Sequence, residues 1–269
     1  MRRHFGFLVV AVILCAGHSL WAQSSPSEQV QVGPPPVRRA EAPSVSASAE
    51  DLEQKGDQLR GEKAFLDAVD YYRAALKKQP GVARLYNKVG ISELLMQRYK
   101  EAKKDFEKAI RADRTYADAY NNLGVIYYLQ RKQGNAIKQY NKAIALRQDS
   151  ASYYSNLGAA YFSKKDLPNA VAAYKQAIEI DPDIFERSSH TGVSAQMSSP
   201  EDRAHFDYVL AKLYAKMGDA DRSLLALRRS MEEGYKGIDA VYQDTEFAGL
   251  RKDPRFTQLM ASRPLAIPE

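Results

Sequence analysis

At 269 residues with 45% apolar composition, the chain is long enough to bury a substantial core. Its formal net charge of +6 is modest for that length and dispersed along the sequence, which argues against a nucleic-acid binder. A single cysteine, Cys15, excludes an internal disulfide framework and a cysteine metal site.

In chain order, residues 1–22 have the pattern of a secretory signal peptide. Arg2 and Arg3 form a basic start, residues 5–16 are apolar, and Ala22 is a small residue at which cleavage is expected. The apolar run is shorter than the ~20 residues of a spanning helix; an uncleaved anchor is the competing reading. Leu14 before Cys15 is too large for a lipoprotein site, so lipidation is discounted. Cleavage near Ala22 would leave a mature chain without cysteine, either periplasmic or secreted. Residues 23–48 are rich in proline, serine, alanine and glutamine around Pro34-Pro35-Pro36. They lack the aromatics a core needs and read as a disordered linker, with a polyproline ligand as the lesser alternative.

A repeat follows. Gly56, Gly90, Gly124 and Gly158 each stand 34 residues after the last, and other positions keep step. Counting each glycine as the eighth residue of its unit, the twentieth is Ala68, Ala102, Ala136 and Ala170. The twenty-fourth is Tyr72, Phe106, Tyr140 and Tyr174, and the twenty-seventh is Ala75, Ala109, Ala143 and Ala177. Within one unit, Tyr120, Leu123, Gly124 and Tyr127 form one helical apolar stripe, and Ala136, Tyr140, Ala143 and Ile144 form a second. The polar stretch from Arg131 to Asn135 makes the turn between them. Each unit is thus a helical hairpin whose small residues sit where the helices approach and whose aromatics fill the space beside them. One hairpin cannot cover both apolar faces, so neighbours stack.

These residues resemble the tetratricopeptide repeat family over residues 49–182, in units 49–82, 83–116, 117–150 and 151–184. The resemblance implies an all-α fold, an α-solenoid wound as a right-handed superhelix of hairpins, closed by a helical C-terminal cap. The family's proline near the end of the second helix stands as Pro80 and Pro182 but is replaced by Arg114 and Gln148, which leaves the two central turns less sharply fixed. Lys55, at an apolar position of the first unit, suits a terminal repeat.

Residues 183–202 are polar and read as a long loop with one helical turn near its start. Ser199-Pro200-Glu201-Asp202 then looks like a helix start. Residues 203–234 read as a fifth, degenerate hairpin. Phe206, Leu210, Leu213 and Tyr214 form its first stripe, and Leu224, Leu225, Leu227 and Met231 its second, with Ala211 and Ser223 at the small-residue positions. Residues 235–269, with Phe247, Leu250, Phe256, Leu259 and Met260, read as the capping segment.

Catalytic constellations fail to assemble. His190 lies in the polar loop beside Ser188 and Ser189, without the rigid scaffold a triad needs. His190 and His205 lack the close helical spacing of a zinc motif. No catalytic residue, metal or cofactor is assigned, and the tyrosines at positions four, eleven and twenty-four read as core.

The resemblance places the inner groove at positions two, five, six, nine, twelve and thirteen of each first helix. The candidate groove residues are Asn87, Lys88, Ile91, Asn121, Asn122, Val125, Tyr128, Asn156 and Phe162. Carboxamides there can donate to and accept from the backbone of an extended peptide; the repeats of the O-linked N-acetylglucosamine transferases carry a similar asparagine ladder. The chaperone-tail clamp of the family is absent, because Glu53 and Asp57 hold its lysine and asparagine positions. The expected role is an exported, non-enzymatic scaffold that binds a protein or peptide in its groove. It needs no nucleic acid or small-molecule cofactor, and a membrane enters only through an uncleaved leader. The alternative is a structural part of an envelope assembly (secretion, pilus or outer-membrane biogenesis) acting through its convex face or tail.

Overall fold

The computed structural model describes residues 41–187 and 199–263. The expected leader, most of the linker, the centre of the 183–202 loop with His190, and residues 264–269 lie outside the described residues. Among those described there is no strand.

Four hairpins follow one another: α1 (Ala49–Gly61) with α2 (Phe65–Lys78), α3 (Ala83–Leu95) with α4 (Tyr99–Ala112), α5 (Ala117–Leu129) with α6 (Gln133–Leu146), and α7 (Ala151–Ser163) with α8 (Leu167–Ile180). The small residues do what their spacing implies. All eight alanines at positions twenty and twenty-seven are fully buried. A Cβ added at Gly124 would lie 2.5 Å from the Tyr140 ring, and one at Gly56 or Gly90 would lie 2.6 Å from Tyr72 or Phe106. The aromatic ring occupies the space the missing Cβ leaves, which fixes how closely the two helices pack.

The other repeat tyrosines are less buried than the core reading expects. Tyr86, Tyr120, Tyr127, Tyr154 and Tyr161 are half-buried. Lysine ammonium groups approach the rings of three of them: Lys108 on Tyr86 at 5.8 Å, Lys142 on Tyr120 at 6.0 Å and Lys103 on Tyr127 at 5.1 Å.

The turn inside each hairpin puts one residue in the left-handed region: Lys63, Gln97, Arg131 and Lys165, with φ of 62°, 58°, 57° and 63°. The next amide bonds back into the helix, as in Lys132 N to Tyr127 O at 2.9 Å. A side chain there costs about 1 kcal/mol that glycine would not. The turns lacking proline are not loose. Asp113 accepts from the Thr115 amide at 2.8 Å, and Arg147 pairs with Asp118 at 2.5 Å across the next turn.

Two departures from the expectation concern the ends. Residues 41–48 are placed rather than disordered: Tyr71 donates to the Glu41 carbonyl at 3.0 Å, Lys78 to the Val45 carbonyl at 2.8 Å, and Ser48 caps α1. A helical turn, α9 (Ile184–Arg187), opens the polar stretch after α8, and α10 (Pro200–Met217) begins at its far end, capped by Ser199.

The second departure is the fifth hairpin, α10 with α11 (Ala220–Glu232), which is not a further repeat in register. Residues five and six of successive first helices meet one another in the repeats, as Asn87 meets Asn122. Instead, the start of α10 meets the end of α7: the His205 and Phe206 rings lie 5.3 and 6.1 Å from Phe162, and Asp202 pairs with Lys165 at 2.7 Å. Its far end leads into α11 beside the residues that follow α8, where Arg222 pairs with Asp183. α10 therefore runs opposite to α7. Phe185 of α9 packs edge-on against Tyr174 at 5.4 Å, covering part of the face a fifth first helix would take. Within this hairpin Ser223 and Ser230 donate to the Ala211 and Ala204 carbonyls, both at 2.8 Å. Leu225, expected in the stripe, is 42% exposed, and Ala226 is buried in its stead.

The tail packs on the fifth hairpin. Phe247, Leu250, Phe256, Leu259 and Met260 are all buried, on short 3-10 turns and on α12 (Pro254–Ser262), which Asp253 caps. Phe247 lies 5.7 Å from Tyr208 of α10, and α12 packs on α11.

These contacts set two expectations for stability. Gly124→Ala drives a methyl into a buried ring and should cost about 1–3 kcal/mol, read as a lowered urea midpoint; an unchanged midpoint would mean the ring is free to move. The second concerns Asp207, which sits 3.1 Å from Arg229 but is pushed up to about 7 by burial, against the pull of that guanidinium. A carboxyl raised in the folded state stabilises most below its unfolded value near 4 and loses that contribution as pH rises through about 7. Asp207→Asn should remove this fall in stability between those limits, measured by urea titration across the range.

Candidate peptide-binding groove

The first helices form the inner layer. α3 packs on α5 and α5 on α7, whereas no pair of successive second helices approaches to the same extent. Positions five and six of the first helices therefore face one another across the repeats, and the residues there satisfy each other first.

At the N-terminal end this produces an ion cluster. Arg84 grips Glu53 through Nε and Nη2 at 2.9 and 2.8 Å, and Lys88 bridges Glu53 at 2.7 Å and Asp57 at 2.6 Å. The hydrogen bond from Arg84 holds the Glu53 carboxyl down at about 2 against the opposing effect of burial. Tyr72 donates to the other oxygen of Asp57 at 2.8 Å. Lys88, expected to meet a ligand, is instead engaged between two carboxylates of the first repeat. Sequence spacing alone could have found this, since positions five and nine of one unit face positions two and six of the next.

Beyond it lies a carboxamide ladder. Asn122 Nδ2 donates to Asn87 Oδ1 at 2.9 Å, Asn156 Nδ2 to Asn121 Oδ1 at 2.9 Å, and Asn121 Nδ2 to Asn122 Oδ1 at 3.2 Å. Asn87 and Asn121 are buried, at 4% and 8% exposure, and serve as its inner rungs. Asn122 and Asn156 are half-exposed. A carboxamide has two N–H groups and two oxygen lone pairs, so both outer amides keep capacity beyond the ladder. On the α5–α7 side, Asp118 accepts from Arg147 and from the Tyr153 hydroxyl, both at 2.5 Å.

The apolar candidates divide. Ile91 and Val125 are half-exposed, and beside them Leu95 and Leu129 at position thirteen are 47% and 38% exposed. These four make an apolar strip on α3 and α5. Tyr128 and Phe162 do not belong to it. Tyr128 is 8% exposed within the core, and Phe162 is 2% exposed under His205 and Phe206 of the reversed hairpin, so neither ring can meet a ligand. Phe162 was not recognisable as buried from its own repeat, because what covers it comes from a helix more than forty residues on.

Histidine chemistry is not favoured here. His205 is stacked against Tyr235 at 5.5 Å, and burial lowers its pKa, so it packs as a neutral ring. Among the described residues no group of three or more histidine, cysteine or carboxylate side chains could hold a metal, and no helix is long and apolar enough to cross a membrane.

Comparison with family models agrees with the repeat over the second to fourth hairpins. Two family models, both described as tetratricopeptide repeat, match residues 82–149 and 151–184. No curated protein matches. Among solved structures, the chain is similar to crystalline MamA at 24% identity, covering 66% of this chain and 93% of that one with a TM-score of 0.47. It is similar to YrrB, described as a TPR protein with an unusual peptide-binding site, at 20% identity over 73% and 91% of the two chains, with a TM-score of 0.47. A thermophilic TPR protein of Thermus thermophilus gives 20% identity, 73% and 96% coverage and a TM-score of 0.49. Residues 82–149 and 151–184 thus match the tetratricopeptide repeat, and the first hairpin is built on the same glycine–aromatic contact as those that follow it.

Proposed function

We propose that this protein is an exported scaffold that holds an extended segment of a partner protein against the inner face of repeats two to four. The tetratricopeptide fold implies a protein–protein interaction scaffold, and proteins of the family generally bind protein or peptide partners without catalysis. The observation that carries the groove reading is the apolar strip of Ile91, Leu95, Val125 and Leu129 beside the outer amides of the ladder. Aliphatic side chains of the ligand would cover the strip, and Asn122 and Asn156 would bond its main chain with their remaining capacity. Lys88, Tyr128 and Phe162 drop out of the contact set. Export rests on the basic start, the apolar run and Ala22, and would place the scaffold in the periplasm or outside the cell.

A second reading has its own observation. A cavity of about 430 Å³ opens between the start of α8, α10 and the tail, walled by Leu167, Val171, Val209, Leu213 and Tyr235. An assembly that used the C-terminal module would contact the protein here, and Val171→Phe would fill the cavity and break that assembly while sparing groove binding.

Peptides selected from a random library on the immobilised protein provide the main test. Leu129→Asp should weaken the selected peptides by about tenfold or more, some 1.4 kcal/mol, and Asn122→Ala with Asn156→Ala should weaken them further. Affinities that do not change in either variant would remove the groove assignment. For export, N-terminal sequencing of the protein from the cell envelope or medium should begin at Gln23; an intact Met1 terminus there would favour an anchor.

A further inference from the structure

The sequence reading takes the positive charge as dispersed, but the fold collects much of it on one edge. In a stack of hairpins, the turns within hairpins line up along one side and the turns between hairpins along the other. Gln133 Nε2 donates to Ser163 Oγ at 2.7 Å, so the turn side of the third repeat touches that of the fourth. On this side Lys63, Lys100, Arg131, Lys132 and Lys164 are exposed and carry no ion pair among the described residues. Arg98 and Lys165 add two more, paired with Glu93 at 3.4 Å and Asp202 at 2.7 Å. Against them stand Glu62, Glu101, Asp166, which caps α8, and Glu201 at the start of α10, while Asp67 is buried. The other edge is mixed, with Asp113, Asp149, Asp181 and Asp183 set among Lys77, Lys78, Arg114 and Arg147.

A second observation concerns the backbone. The left-handed turn position favours glycine, and the reversed hairpin places Gly218 there with φ of 82°. The four repeats do not use glycine. Three of them place Lys63, Arg131 and Lys165 in that strained conformation, and the fourth places Gln97 with Arg98 next to it. The chain thus bears backbone strain to hold a long polar or cationic side chain outward at each step.

We propose that this turn edge docks on an anionic lipid bilayer surface. Cations spaced along a line over four repeats match a flat field of headgroups, which rewards each basic residue separately and needs no pocket. The turn residues 61–64, 96–98, 130–132 and 164–166 contain no aromatic ring, and Phe65 and Tyr99 beside them are half-buried, which disfavours a single-stranded nucleic acid. The edge is separate from the inner strip, so a docked molecule would keep its groove open to a partner. The contact differs from an uncleaved leader, which would insert whatever the lipid charge.

The test is co-sedimentation of the processed chain, beginning at Gln23, with vesicles of phosphatidylcholine containing about one-third phosphatidylglycerol, against pure phosphatidylcholine vesicles at the same salt. The expected result is binding to the anionic vesicles in excess of the neutral ones, lost as salt rises. Each removed cation should lower the partition coefficient about fivefold. The variant Lys63→Gln with Arg131→Gln and Lys164→Gln should therefore reduce binding about a hundredfold, while Lys77→Gln with Lys78→Gln and Arg114→Gln on the other edge should retain most of it. Arg131→Gly is a further check that a folding defect cannot imitate, since it should raise the thermal midpoint and lower vesicle binding together. Equal binding to neutral vesicles, equal loss in both sets of variants, or binding to soluble polyphosphate without binding to vesicles would overturn the proposal.

Discussion

A missing Cβ and a ring set against it recur through the solenoid. At Gly56, Gly90, Gly124 and Gly158 the first helix leaves a space that only the aromatic of position twenty-four occupies, and fully buried alanines bring the second helix close enough to place it there. This contact fixes the spacing of each hairpin, and with it the face that the hairpin presents to the next. A side chain at the glycine would open the pair and disturb two interfaces, because each unit shares its core with its neighbours.

Between hairpins, the inner layer is joined largely by polar contacts. Glu53, Asp57, Arg84 and Lys88 join the first two repeats, and Asn87, Asn121, Asn122 and Asn156 join the rest. These contacts consume part of what the groove could offer a ligand, so the recognition surface is narrower than the count of polar residues on the first helices implies. What is left is a short aliphatic strip on α3 and α5 with two half-exposed amides at its side. In the proposed role, such a surface would read the shape of an extended chain and a few apolar side chains.

The reversed hairpin sets the limit of the repeat. With α9 folded back so that Phe185 covers Tyr174, α10 cannot lie beside α7 in the manner of a first helix, and it crosses with its start at the end of α7. Phe162 is thereby taken out of the groove. The tail then packs on α10 and α11, where Phe247, Phe256 and Leu259 are buried, and a cavity remains between the two packing modes, lined by apolar side chains and by Lys212, Lys216, Asp244 and Glu246.

The sequence by itself determined the hairpin, its period and its core, because glycine, alanine and aromatic positions are local constraints repeated in register. It determined the tail's buried residues and the cap of α10 for the same reason. Only the tertiary structure decided which groove residues are free. The pairing of Lys88 with Glu53 and Asp57 follows from spacing across two units, but Tyr128 is drawn into the core and Phe162 is covered by a helix distant in sequence. Partners of that kind are chosen by how units stack, and a single unit's pattern carries no record of them. The same holds for the basic edge, where residues a repeat apart in the chain become neighbours only once the hairpins are aligned.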